Sequence, residues 1–171
     1  MLETFLYPEY QIQFTETRRL RKMNKTPYIK INWPYTIEVF NSYPIKDELK
    51  KLGFSYYIKS WEIGIPTLIM KPWIIDELKR LGVENVEKLE EMINDEKNTY
   101  IKIYKKIIEQ VKSELPVEPL DIRVVFSRNI IKLRLPRLDK KTFMELKKKI
   151  KYDPITYEWK MKINIDWRKV K

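Results

Sequence analysis

Apolar residues recur with a period of two in several short segments of the chain and with the helical period in others. Ile29, Ile31 and Trp33 alternate with Lys30 and Asn32, which predicts a half-buried strand over Tyr28–Trp33. Tyr35–Val39 alternates again, and Asn41–Pro44 reads as a turn. Ile45–Leu52 predicts a short helix with Leu49 and Leu52 inward, closed by Gly53. Phe54–Ile65 holds two extended runs joined around Ile58-Lys59, and the prolines of Pro66–Pro72 predict a break. Helical periodicity returns over Trp73–Leu81 and from Glu84 to Ser113, as one helix or as two parted at Asn94–Thr99. Leu115–Pro119 carries two prolines and reads as a linker. Beyond it, Ile122–Phe126 and Ile130–Leu135 predict a hairpin through Ser127-Arg128-Asn129. Asp139 is expected to cap a helix reaching Ile150, with Phe143, Leu146 and Ile150 inward. Lys151–Pro154 and Glu158–Ile165 predict a second hairpin. Upstream, Tyr10–Phe14 alternates like a strand.

The order strand, strand, helix, strand, turn, strand therefore occurs twice, which is the signature of an internal repeat. Glu48–Ile63 matches Glu145–Met161 with one residue inserted in the second helix, aligning Phe54 with Tyr152 and Trp61 with Trp159. Two copies are too few to stack as a solenoid, so each is expected to form its own small unit. The expected fold class is α+β, with two small antiparallel-sheet-plus-helix repeats joined by a helical segment. The expected divisions are 1–70 for the first repeat with its N-terminal strand and basic loop, 71–118 for a helical connector, and 119–171 for the second repeat. Trp61 and Trp159 share parity with apolar strand neighbours and are expected in the core, as are Trp33 and Trp73.

Charge changes this picture. The 171 residues hold 35 Lys+Arg against 24 Asp+Glu, a net of +11. Residues 1–120 carry 19 cations and 18 acids, whereas residues 121–171 carry 16 and 6. An evenly solvated surface would not divide in this way, so the second repeat is expected to hold a face for a polyanion. A smaller basic cluster, Arg18, Arg19, Arg21, Lys22 and Lys25, follows the first alternating segment. The chain has no cysteine and no histidine, which excludes disulfides, Cys/His zinc sites and histidine acid–base chemistry. No cofactor and no metal are expected. Heavy use of Ile, Lys, Glu and Tyr with no alanine resembles the composition of an AT-rich thermophile. Met1–Tyr10 lacks the basic-then-apolar order of a secretory leader, and runs such as Ile63–Met70 are far short of a membrane span. A soluble, cytoplasmic protein with no membrane partner is expected.

Strand parity assigns the candidate nucleic-acid-binding residues. Ile131, Leu133 and Leu135 fall on one side of their strand and Lys132 and Arg134 on the other. Trp159, Met161 and Ile163 oppose Lys160 and Lys162 in the same way. The outer face is thus expected to present Arg123, Lys132, Arg134, Lys160 and Lys162, with Arg128 at the hairpin tip and Lys147, Lys148 and Lys151 in the lysine run at the helix end. Tyr157 and Trp167 fall clearly on neither apolar face and are candidates for base stacking. Arg18, Arg19 and Arg21 complete the set. Recognition of shape or strand state is expected over sequence reading.

The run Lys151-Tyr152-Asp153-Pro154-Ile155-Thr156-Tyr157-Glu158-Trp159-Lys160 resembles the HARP domain, a module found beside the motor of annealing helicases. Tyr28–Phe40 resembles the strands that precede the helix in that domain. Phe54–Trp61 departs from the pattern, with Ser55 where an acid is expected. The resemblance implies binding to branched or partly single-stranded DNA beside a helicase. DNA is expected over RNA, with a helicase, nuclease or replication or repair protein as the partner. The chain has three glycines and no Gly-x-x-x-x-Gly-Lys-Ser/Thr loop, so any motor is expected in a partner or in another part of a longer protein.

Two other classes remain open on the residues. Glu158-Trp159-Lys160 has the acid-x-Lys form of metal-dependent nucleases, for which Asp139 or Asp153 would supply the second carboxylate and magnesium the metal. An adaptor would instead dock a protein partner through the helical connector and the acidic stretch Glu84–Glu96.

Overall fold

The structure is a computed structural model that describes residues 25–171. The Tyr10–Phe14 segment and Arg18, Arg19 and Arg21 lie outside the described residues. Two four-stranded antiparallel sheets carry the fold, and both have the same topology. In the first, β1 (Tyr28–Asn32) and β2 (Thr36–Phe40) lead into helix α1 (Lys46–Lys51), followed by β3 (Ser55–Tyr57) and β4 (Ser60–Gly64). Four helices follow: α2 (Ile65–Met70), α3 (Trp73–Arg80), α4 (Val86–Ile93) and α5 (Thr99–Glu114). The second sheet is built from β5 (Asp121–Val125), β6 (Ile130–Arg134), β7 (Lys151–Asp153) and β8 (Glu158–Lys162), with α6 (Lys140–Lys147) between its two hairpins. The strand orders are β1-β2-β4-β3 and β5-β6-β8-β7, which makes the chain an α+β fold of two sheet-plus-helix units.

Alternation puts Ile29, Ile37, Val39 and Ile63 on the buried face of the first sheet, under Leu49 of α1 and Phe54. The matching face of the second sheet buries Ile122, Val124, Ile131, Leu133, Trp159 and Met161 against Leu146 of α6. Asp139 caps α6 as its sequence predicts, accepting the amide of Thr142 at 2.7 Å. The long periodic stretch is two helices, parted at Asn94–Asn98, and Asn98 caps the second by accepting the amide of Tyr100. Helix α5 buries Ile101, Ile103, Tyr104, Ile107, Ile108 and Val111. The Tyr104 hydroxyl donates to the Pro34 carbonyl at 2.7 Å. Buried residues of both sheets and of the helices between them form a single apolar cluster.

Three sequence expectations are corrected. Pro66 does not break the chain: it lies in the first turn of α2, where a helix has no use for the missing amide. Trp73 is half exposed at the start of α3 and is not a core residue. The aromatic equivalence between the repeats also shifts. Strand register sets Tyr56 opposite Trp61 and Tyr152 opposite Trp159, so Tyr56, not Phe54, is the counterpart of Tyr152. Ring centroids lie 5.4 Å apart in the first pair and 4.6 Å in the second. The shared eight-residue frame arose because the β7–β8 turn is two residues longer than the β3–β4 turn, while the first copy has an extra residue before β3.

Candidate nucleic-acid interface

On the face of the second sheet away from α6, register aligns Arg123 with Lys132, Lys132 with Lys160, and Lys160 with Lys151. Four cations thus stand in one row across four strands, over about 14 Å at the usual inter-strand spacing. Like charges directly opposite one another in a sheet are destabilising, so this row is not a device for stability. The same row of the first sheet reads Lys30, Glu38, Glu62 and Ser55. Identical topology therefore carries a net-negative row in the first sheet and a wholly cationic one in the second.

The first repeat covers part of this face. Asp121 is 2% exposed, and its Oδ1 accepts the Gly64 amide at 2.8 Å and the Thr67 hydroxyl at 2.7 Å. Its Oδ2 accepts Arg123 Nε at 2.9 Å, and the Arg123 guanidinium reaches on to Ser55 Oγ at 3.1 Å. Arg134 donates to the Gly53 carbonyl, and its Nε is buried without a partner among the described residues. Burial pushes the Arg134 guanidinium below its usual range. Burial also raises the Glu62 carboxyl, against the opposing pull of Arg123 and with help from the charges of Glu38 and Asp121. Alternation thus put Arg123 and Arg134 on the correct side of the sheet, but both are engaged by the first repeat. Lys132 and Lys151 are not within ion-pair distance of any described carboxylate, and Lys160 lies 3.6 Å from Asp153.

The other candidates are dispersed. Lys162 is exposed at the end of β8, in line with Lys160, and Arg128 is exposed in the turn between β5 and β6. Lys147 and Lys148 are exposed at the end of α6 and just past it, and α6 packs on the opposite side of the sheet through Phe143 and Trp159, 5.2 Å between centroids. They belong to a separate basic surface. Tyr157 is 72% exposed at the tip of the β7–β8 hairpin. Trp167 is not a free platform: its ring packs on Phe126 at 4.8 Å, and its Nε1 donates to Asn129 Oδ1 at 3.0 Å.

A cleft of about 340 Å³, which sequence reasoning missed, opens where the two outer faces diverge, lined by Tyr35 and Thr36 of the first repeat and by Arg123, Phe126, Ser127 and Lys132 of the second. No alternation within one strand signals such a cleft, because it is made by docking. The carboxylates of the nuclease reading come only partly together. Asp153 and Glu158 are direct cross-strand partners, but Asp153 Oδ1 accepts the amides of Ile155 and Thr156, and Asp139 is occupied as the cap of α6. Among the described residues no cluster of three potential metal ligands occurs. No helix among them is long and apolar enough to cross a membrane. No protein-family model, curated protein or solved structure matches the chain.

Proposed function

We propose that this protein is a nucleic-acid-binding module that holds DNA on the outer face of its second sheet, as an accessory to a helicase or another DNA-processing enzyme. The carrying observation is that Lys132, Lys160 and Lys151 stand side by side on three neighbouring strands, with Lys132 and Lys151 beyond ion-pair distance of any described carboxylate, an arrangement that a line of phosphates complements. Lys162 extends it along β8. The likeness of Lys151–Lys160 to the HARP domain supports a place beside a helicase and a preference for junctions over uniform duplex. The test is binding to forked, single-stranded and duplex DNA across a salt series. Affinity is expected to fall with log salt at roughly 0.9 per phosphate contact on duplex. Replacing Lys132, Lys151, Lys160 and Lys162 by Glu is expected to abolish binding and leave the fold intact. Binding that survives this change would move the site to another face.

A second reading is a protein adaptor, favoured by Trp73, which is half exposed on the helical segment between the repeats. An absence of DNA binding at low salt would favour it. The nuclease reading would be revived by magnesium-dependent cleavage that is lost in Glu158→Ala.

A further inference from the structure

We propose that the β7–β8 hairpin is a wedge that enters DNA where duplex opens into single strands, with Ile155 and Tyr157 lying against the exposed base step; this rests on the DNA reading above. Ile155 is 87% exposed and Tyr157 is 72% exposed. Neither side chain contributes burial to the fold, and a turn has no need of an isoleucine. The tip is nevertheless held firmly. Asp153 Oδ1 accepts the amide of Ile155 at 2.9 Å and that of Thr156 at 3.4 Å. Tyr157 adopts φ 60°, in the left-handed region that a bulky residue rarely occupies. Exposed apolar surface on a pre-set, strained turn is the kind of local cost that function explains. The first repeat has the same character at the corresponding tip, where Ile58 is 70% exposed at φ 57° beside Tyr57 at 64%.

A cationic row begins a short way down the hairpin from the tip, where phosphates flanking an opened base step would lie. Lys151 and Lys160 lie on the strands that lead into the turn, two residues beyond the Asp153–Glu158 pair that closes it, and Lys160 reaches Asp153 at 3.6 Å. Apolar side chains that enter a base step partly unstack and kink a duplex, and base–aromatic stacking adds to the hold. An anionic membrane also combines apolar and charged surface. DNA is favoured because the cations continue away from the tip as a single line across the sheet, and because two side chains offer little area for insertion into lipid.

The test compares wild type with the Ile155→Asp/Tyr157→Ala double variant on a forked duplex, on a blunt duplex of the same length, and on a fork carrying 2-aminopurine at its first base pair. Wild type is expected to bind the fork more tightly and to brighten the 2-aminopurine. The double variant is expected to lose fork affinity on the order of ten-fold, to hold blunt duplex within about two-fold, and to leave the probe dark. Ile155→Leu with Tyr157→Phe is expected to keep the preference. If the double variant retains fork preference and probe response, the wedge is overturned while the DNA reading stands. If wild type binds no DNA at low salt, both fall. If the double variant loses binding to phosphatidylserine vesicles while its fork affinity is unchanged, the tip is a lipid contact and the wedge is overturned.

Discussion

The hydroxyl of Thr67 donates to Asp121 Oδ1 at 2.7 Å and accepts the amide of Ile122 at the same distance. One side chain of the first repeat thus satisfies a buried carboxylate and a backbone amide of the second. Because Asp121 also accepts Gly64 and Arg123, the two repeats share a closed polar network inside apolar surroundings.

Removing Asp121 leaves Arg123, Thr67 and the Gly64 amide without their acceptor. Asp121→Ala is expected to cost about 3–5 kcal/mol, as for a buried pair broken on one side, and Thr67→Val about 1–3 kcal/mol. The combined variant should cost clearly less than the sum, since both changes remove one network. Urea unfolding monitored by tryptophan fluorescence and by circular dichroism measures this. Two separate transitions in wild type would show that the network does not couple the repeats.

Gly64 meets β5 so closely that a methyl group there would overlap the carbonyl oxygen of Ile122. Gly64→Ala is therefore expected to destabilise by about 1–3 kcal/mol through overpacking, although alanine has the better strand and helix propensity. The same urea midpoints decide it, and an unchanged midpoint would mean that the repeats can slide apart at no cost.

Glu62 gives a pH signature. Burial raises its carboxyl above the value of 4.5 that it has when unfolded, so the folded state holds its proton longer. Stability should then fall as pH rises from the unfolded value through the folded one, and the penalty persists at neutral pH. Glu62→Gln is expected to raise the melting temperature at pH 7 and to lose that advantage near pH 4. A lower melting temperature at pH 7 would mean that the Arg123 attraction outweighs desolvation.

Lys132 and Arg134 lie on the same strand face two residues apart, yet only Arg134 is tied to the first repeat. Lys132→Met is expected to weaken DNA binding and to lower the salt slope by about one. Arg134→Met should leave DNA affinity unchanged, because its charge is turned toward Gly53. Equal losses in both variants would place phosphate at Arg134 as well.

These contrasts separate what each strand's own residues dictate from what docking between the repeats decides. Alternation gave the side of the sheet for Arg123, Lys132, Arg134, Lys160 and Lys162, because parity is local and each strand buries one face. The fate of Arg123 and Arg134 depends on which surface docks over them, and no periodicity within a strand carries that information. Asp121-Ile122-Arg123 did hold a clue, since an acid two residues before an arginine on one strand face is placed to engage it. The repeat was legible from element order, but its register was not. A matched aromatic-to-Trp spacing paired Phe54 with Tyr152, while hydrogen-bonded strands pair Tyr56 with it. Turn length had absorbed the difference. Pro66 was misread because proline ends a helix only where an amide is needed, and the first turn needs none.

The inverted rows of the two sheets have an electrostatic consequence beyond contact. Glu38 and Glu62 stand at the row positions of the first sheet that Lys132 and Lys160 take in the second, with Lys151 beside Lys160. On the DNA reading proposed above, a polyanion arriving by diffusion would be drawn to the row of the second sheet in preference to that of the first. Under that reading, duplicated architecture with unlike charge rows would act as a compass rather than as two equivalent grips.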